Sequence, residues 1–168
     1  MIHSLPKETI DSIQLLKFNN GKSIAYVLHT IMAAELPFEI ISGVNEHLAK
    51  NPYDEVCLFS LNREMPIITA NMSIFNNMDL NTYYGKLVAT DIPSWQASLI
   101  SPSRAKFLYI YDVKRLFNIP KDLVDKINKS GFKIFTRNKT YAEALVKIGF
   151  VVQPYYMEYF DHKFVEAL

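Results

Sequence analysis

The sequence predicts an α/β fold: a doubly wound, mainly parallel, Rossmann-like sheet in one domain over residues 1–168, with helices on both faces. Short apolar runs without polar alternation recur along the chain, as in strands covered on both sides. They are separated by stretches whose apolar residues return at helical spacing. At 168 residues and 49% apolar, the chain suits one core and excludes a disordered or linker protein.

Residues 6–18 place Ile10, Ile13, Leu15 and Leu16 as a helix would, and N19, N20 and Gly21 form a stop, so residues 1–22 read as a helical lead-in. Residues 23–29 are a compact apolar run read as a buried strand, although length alone does not separate it from a helix. Ile31, Leu36, Ile40, Ile41, Val44 and Leu48 form a helical stripe starting near Pro37 and ending at Asn51, ahead of Pro52. Residues 55–60 are a second strand. Residues 66–81 fit a strand or a helix. Residues 85–91 are a third strand and residues 93–100 a short helix. Residues 106–112, aromatic and β-branched, are the clearest strand. A helix over 120–129 ends at Ser130 and Gly131, a strand follows at 132–136, and a helix over 140–147 is closed by Gly149. Pro154 makes the last strand, 151–156, an edge or terminating one, and residues 155–168 read as a tail or linker-like segment.

Right-handed crossovers put ligands beyond the carboxyl ends of such strands. His29, Thr30, Asp91, Asp112 and Arg137 occupy those positions. The run after the first strand has no glycine triplet, which excludes the dinucleotide loop. G21, K22 and S23 imitate a P-loop ending, but Leu16 stands where its first glycine belongs. His3, His29, His47 and His162 lack metal-ligand spacing, and one cysteine, Cys57, supports neither a disulfide framework nor a zinc site, so no metal and no cofactor is expected. His29 is a hydrogen-bond donor or base, or a satisfied strand-end histidine. Asp91, ahead of Ile92 and Pro93, is an acceptor-side carboxylate or a helix cap. Asp112 has no such helix signal after it and is the candidate general base, with Lys114 and Arg115 beside it to neutralise it or bind phosphate. Trp95 either stacks on a sugar or base or fills the core.

Net charge is +1, yet residues 104–147 hold 11 basic and 4 acidic side chains. That segment is a candidate DNA or diphosphate contact, or a solvated lysine-rich face. No apolar stretch reaches the roughly 20 residues of a membrane span, and no secretory signal opens the chain, so a reducing, cytoplasmic setting is expected.

KFLYIYDVKRLF (106–117), FKIFTRNKTYAEALVKIGF (132–150), VVQPYYMEYFD (151–161) and IAYVLHT (24–30) together resemble the N-terminal domain of GT-B type glycosyltransferases. The stretch around Asp112 is also similar to bacteriophage β-glucosyltransferases that modify DNA. The resemblance implies transfer of a sugar from a nucleotide-sugar to an acceptor hydroxyl, and carries over to Asp112 alone, as the base. On that reading His29 and Asp91 lie near the acceptor and Arg115 near phosphate, with Thr30, Trp95 and Arg137 as further substrate-binding candidates. GT-B enzymes hold the donor mainly in a second domain, so it also implies a partner chain or a homo-oligomer. The alternative is a non-catalytic binding or assembly protein, of viral type or a regulator of a host protein, on the same fold.

Overall fold

Five of the apolar runs become the inner strands of a seven-stranded, wholly parallel sheet. A computed structural model describes residues 23–168 apart from Ala33, Arg63, Glu64 and Ile67. The strands are β1 (Ile24–Leu28), β2 (Val56–Ser60), β3 (Ser73–Asn76), β4 (Lys86–Ala89), β5 (Lys106–Ile110), β6 (Lys133–Thr136) and β7 (Val152–Tyr156). Their order across the sheet is β3-β2-β1-β4-β5-β6-β7. The order reverses between β1 and β4, where Tyr26 pairs with Leu58 on one side and Val88 on the other. The helices are α1 (Glu35–Lys50), α2 (Ile92–Ser98), α3 (Lys121–Lys129), α4 (Lys139–Ile148) and α5 (His162–Ala167).

Strand residues alternate faces, and the core divides accordingly. Tyr26, Leu58, Val88, Phe107, Tyr109 and Phe135 meet Ile40, Ile41 and Val44 of α1 and Val165 of α5. Val27, Phe59, Leu87, Leu108 and Ile134 meet Trp95 of α2, Val124 and Ile127 of α3 and Leu145 of α4. Helices therefore cover both faces, which makes the domain Rossmann-like and doubly wound. Phe135 is fully buried and stacks on Tyr109 at 5.0 Å between ring centroids. Truncating such a ring to alanine costs about 3–5 kcal/mol.

Local chemistry explains the boundaries. Pro37 lies in the first turn of α1, where a missing N–H breaks no intrahelical bond. Gly149 ends α4 at φ +112°, donating its N–H to the carbonyls of Leu145 and Val146. That left-handed geometry suits glycine because it has no Cβ.

Three regions differ from the sequence reading or fall outside the structure. The 66–81 region holds β3 and then a 3₁₀ turn (Asn77–Thr82), not a long helix. Residues 155–168, read as a tail or linker-like segment, complete β7 and then return to the sheet as α5. The helix expected over 6–18 lies outside the described residues. Among those described, no helix is long and apolar enough to cross a membrane.

Candidate functional site

A cavity of about 670 Å³ opens at the carboxyl ends of β1, β4, β5 and β6, against the first turn of α1. It sits at the strand-order reversal, where neighbouring crossovers leave on opposite faces and part to form a crevice. His29, Thr30, Asp91, Asp112, Arg115 and Arg137 all line it. Trp95 does not. Its indole is buried on the α2–α4 face and donates its N–H to Ser130 Oγ at 3.0 Å, so it is a core residue and no sugar platform. Its aromatic bulk was legible in the sequence; the partner that draws it inward was not.

Two aspartates follow adjacent strands and are held differently. Asp91 leaves β4 and caps α2, Oδ1 accepting the Ser94 N–H at 2.8 Å. Ser94 Oγ in return accepts the N–H groups of Thr90 and Asp91, each at 2.9 Å. The second oxygen, Oδ2, faces His29 Nδ1 at 3.9 Å. Both side chains are about half exposed. Asp112 leaves β5 and caps a 3₁₀ turn (Val113–Leu116), a role the sequence reading had denied it. Its Oδ1 accepts the Lys114 N–H at 3.0 Å and its Oδ2 pairs with Arg115 Nε at 3.3 Å.

Beyond them Arg137, expected at the site, meets three residues the sequence reading missed, Tyr111, Glu35 and Glu39. The Arg137 guanidinium lies 4.4 Å from the centre of the Tyr111 ring and donates from Nε to the Glu158 carbonyl at 3.1 Å. Tyr111 donates its hydroxyl proton to Glu39 Oε1 at 3.3 Å. Burial, then hydrogen bonding to Glu35 and the charge of Glu39, hold the Tyr111 phenol well above its usual pKa, so it remains a donor. Burial opposes the charge on Arg137, but Tyr111, Tyr109, Glu35 and Glu39 outweigh it and raise its pKa. One signal for this group was in the sequence: Glu35 and Glu39 are four apart, on one face of α1.

Charge balance limits what the cavity can hold. Its lining carries the carboxylates of Glu35, Asp91 and Asp112 against Lys114, Arg115 and Arg137. Ala34, the N-cap of α1, offers no side-chain acceptor, yet Glu35 puts a carboxylate in that first turn and repels an incoming phosphate. Dense donors and acceptors of near-zero net charge suit a hydroxyl-rich ligand better than a polyphosphate. His29 can accept a hydroxyl proton, and Asp91 can stabilise the imidazolium that results.

The basic segment does not form one face. Lys106 and Lys133 open their strands at the opposite rim, near the rings of Phe132 and Phe107, whereas Lys114, Arg115 and Arg137 follow the strand ends. A second cavity of about 800 Å³ flanks β2 and β3 and includes Cys57, whose thiol burial pushes up to about 12, leaving it un-ionised. Among the described residues no cluster of His, Cys, Asp and Glu could hold a metal ion. No known family model, curated protein or solved structure matches this chain.

Proposed function

We propose that this chain is the acceptor-binding half of a sugar-transfer enzyme, working with a partner chain or a second copy that holds the nucleotide-sugar. The observation that carries the reading is the His29–Asp91 pair at the β1/β4 reversal, inside a charge-balanced cavity. His29 takes the acceptor hydroxyl proton, Asp91 supports the charge, Arg137 supplies a fixed donor to a neighbouring hydroxyl, and Tyr111, whose proton goes to Glu39, offers its oxygen as an acceptor. Asp112, the base implied by the GT-B resemblance, has each oxygen engaged by a donor, which suits it to positioning Arg115 and the 3₁₀ turn. Nothing after β1 provides a glycine-rich phosphate loop, so the donor falls to the partner.

The test is backbone-amide NMR of the chain titrated with a panel of glycosides and polyols, and separately with nucleotide-sugars. Acceptor-type ligands should shift the amides of Thr30, Asp91 and Asp112. Silence from every hydroxylated ligand would defeat the reading.

A non-catalytic assembly role has its own support. Met32, Phe38 and Phe117 stand more than half exposed beside the cavity-lining segments. Light scattering showing a stable oligomer or protein complex, alongside no ligand response, would favour it.

A further inference from the structure

The last twelve residues are tied to the sheet through a buried cluster that takes no part in the proposed chemistry. Val165 of α5 is fully buried. Lys86, at the start of β4, donates from Nζ to the carbonyls of Val165 and Glu166 at 2.9 and 2.7 Å, holding the carboxyl end of the helix. Asp161 caps the other end, accepting the N–H groups of Lys163 and Phe164. Between these anchors His162 is 5% exposed, with Nδ1 2.8 Å from the Tyr26 hydroxyl. Its ring lies 4.2 Å from that of His47, which is itself 2.6 Å from the Asp54 carboxylate. Phe160 meets Tyr26 edge-on and leaves no room for a side chain at Gly43.

The groups facing His162 are Tyr26 from β1, His47 from α1, Asp54 from the turn after α1, Lys86 from β4 and Asp161 from its own cap. Asp54 is already engaged by His47. A proton on His162 would therefore sit in a buried site beside a second imidazole and near an ammonium. We infer that residues 157–168 form an acid-released clasp: proton uptake by His162, pressed against His47 in the interior, undocks α5 from β1 and α1. Release also removes two supports of the cavity, the Glu158 carbonyl that accepts from Arg137 and the Phe160 N–H that donates to Glu39.

The sign follows from the docked histidine. Burial, then His47, lowers its pKa from 6.5 to about 4, with Asp54 and Asp161 pulling weakly the other way and Lys86 adding to the depression. The undocked segment binds the proton more readily, so docking is strongest above pH 6.5 and weakens as pH falls from there to about 4. At pH 5 the docking equilibrium should be about 20-fold weaker than at pH 7.

Hydrogen exchange of the full chain at pH 7 and pH 5, corrected for intrinsic rates, tests this. Peptides from residues 157–168 should lose about 20-fold in protection while those of β5 keep theirs. His162→Gln, which can still bond Tyr26 but does not titrate, should show equal protection at both pH values. Unchanged protection in the natural chain, pH-dependent loss that survives in His162→Gln, or β5 opening together with the tail would each overturn the clasp. Should His162→Gln fail to fold, an NMR titration of the His162 ring in the natural chain decides. A midpoint well below 6.5 supports the clasp, and one at or above 6.5 overturns it.

Discussion

The exits of β4 and β5 are neighbours in the sheet, and each begins with an aspartate that caps a helical turn. At β4 the cap consumes one oxygen of Asp91, and buried Ser94 completes it from below, leaving the other oxygen facing His29. At β5 the turn is 3₁₀, the serine is missing, and Arg115 takes the second oxygen of Asp112. Identical residue types at equivalent places thus end with different chemical freedom. What separates them is the residue three positions on, Ser94 or Arg115. A strand-end carboxylate can support a neighbouring base only where the following turn leaves one of its oxygens free.

The sharpest break of that comparison is His29→Ala. It removes the proton acceptor from the β4 side and should lower the transfer rate of the active assembly by about 10²–10⁴-fold, the usual contribution of a positioned base. Being half exposed, His29 should leave thermal stability nearly unchanged, which a melting curve checks. Next is Ser94→Ala. It orphans the N–H groups of Thr90 and Asp91 under a fully buried side chain and should cost about 2 kcal/mol in denaturant unfolding. Asp91→Asn is milder. Asparagine still caps α2, so stability should hold within about 0.5 kcal/mol. The charge facing the imidazole is lost, and because both groups are half solvated the rate should fall by only about tenfold.

The strand exits were legible because the strands were. Residues buried on both faces leave unbroken apolar runs, so the ends of β1, β4, β5 and β6 could be placed to within a residue or two. Strand β3, in the region left open between strand and helix, lies at the sheet edge, is largely exposed and is bounded by Ser73 and Asn76, so no apolar run marks it. Helix α5 was missed for a different reason. It is six residues long, and one of its buried anchors is a histidine whose place depends on Tyr26, 136 residues away in sequence. For Trp95 the sequence left stacking and core burial open, and which face a helix buries is settled by tertiary partners such as Ser130. The six residues that do line the cavity were found because topology alone sends strand ends there.

The smallest effect belongs to the β5 side, and it carries the comparison furthest. Arg115→Ala breaks an exposed i,i+3 ion pair, and such pairs contribute about 0–1 kcal/mol, so the unfolding midpoint should barely move. It also frees Oδ2 of Asp112 while the cap to Lys114 persists, giving Asp112 the arrangement that Asp91 has naturally. If freedom of the second oxygen is what qualifies a carboxylate, Asp112→Asn should alter the transfer rate by less than about threefold in the natural chain. It should have a larger effect when Arg115 is already alanine. A double-mutant cycle on the rate measures that coupling directly. An additive result would assign Asp112 to capping alone, and a large loss from Asp112→Asn in the natural chain would return the role of base to β5.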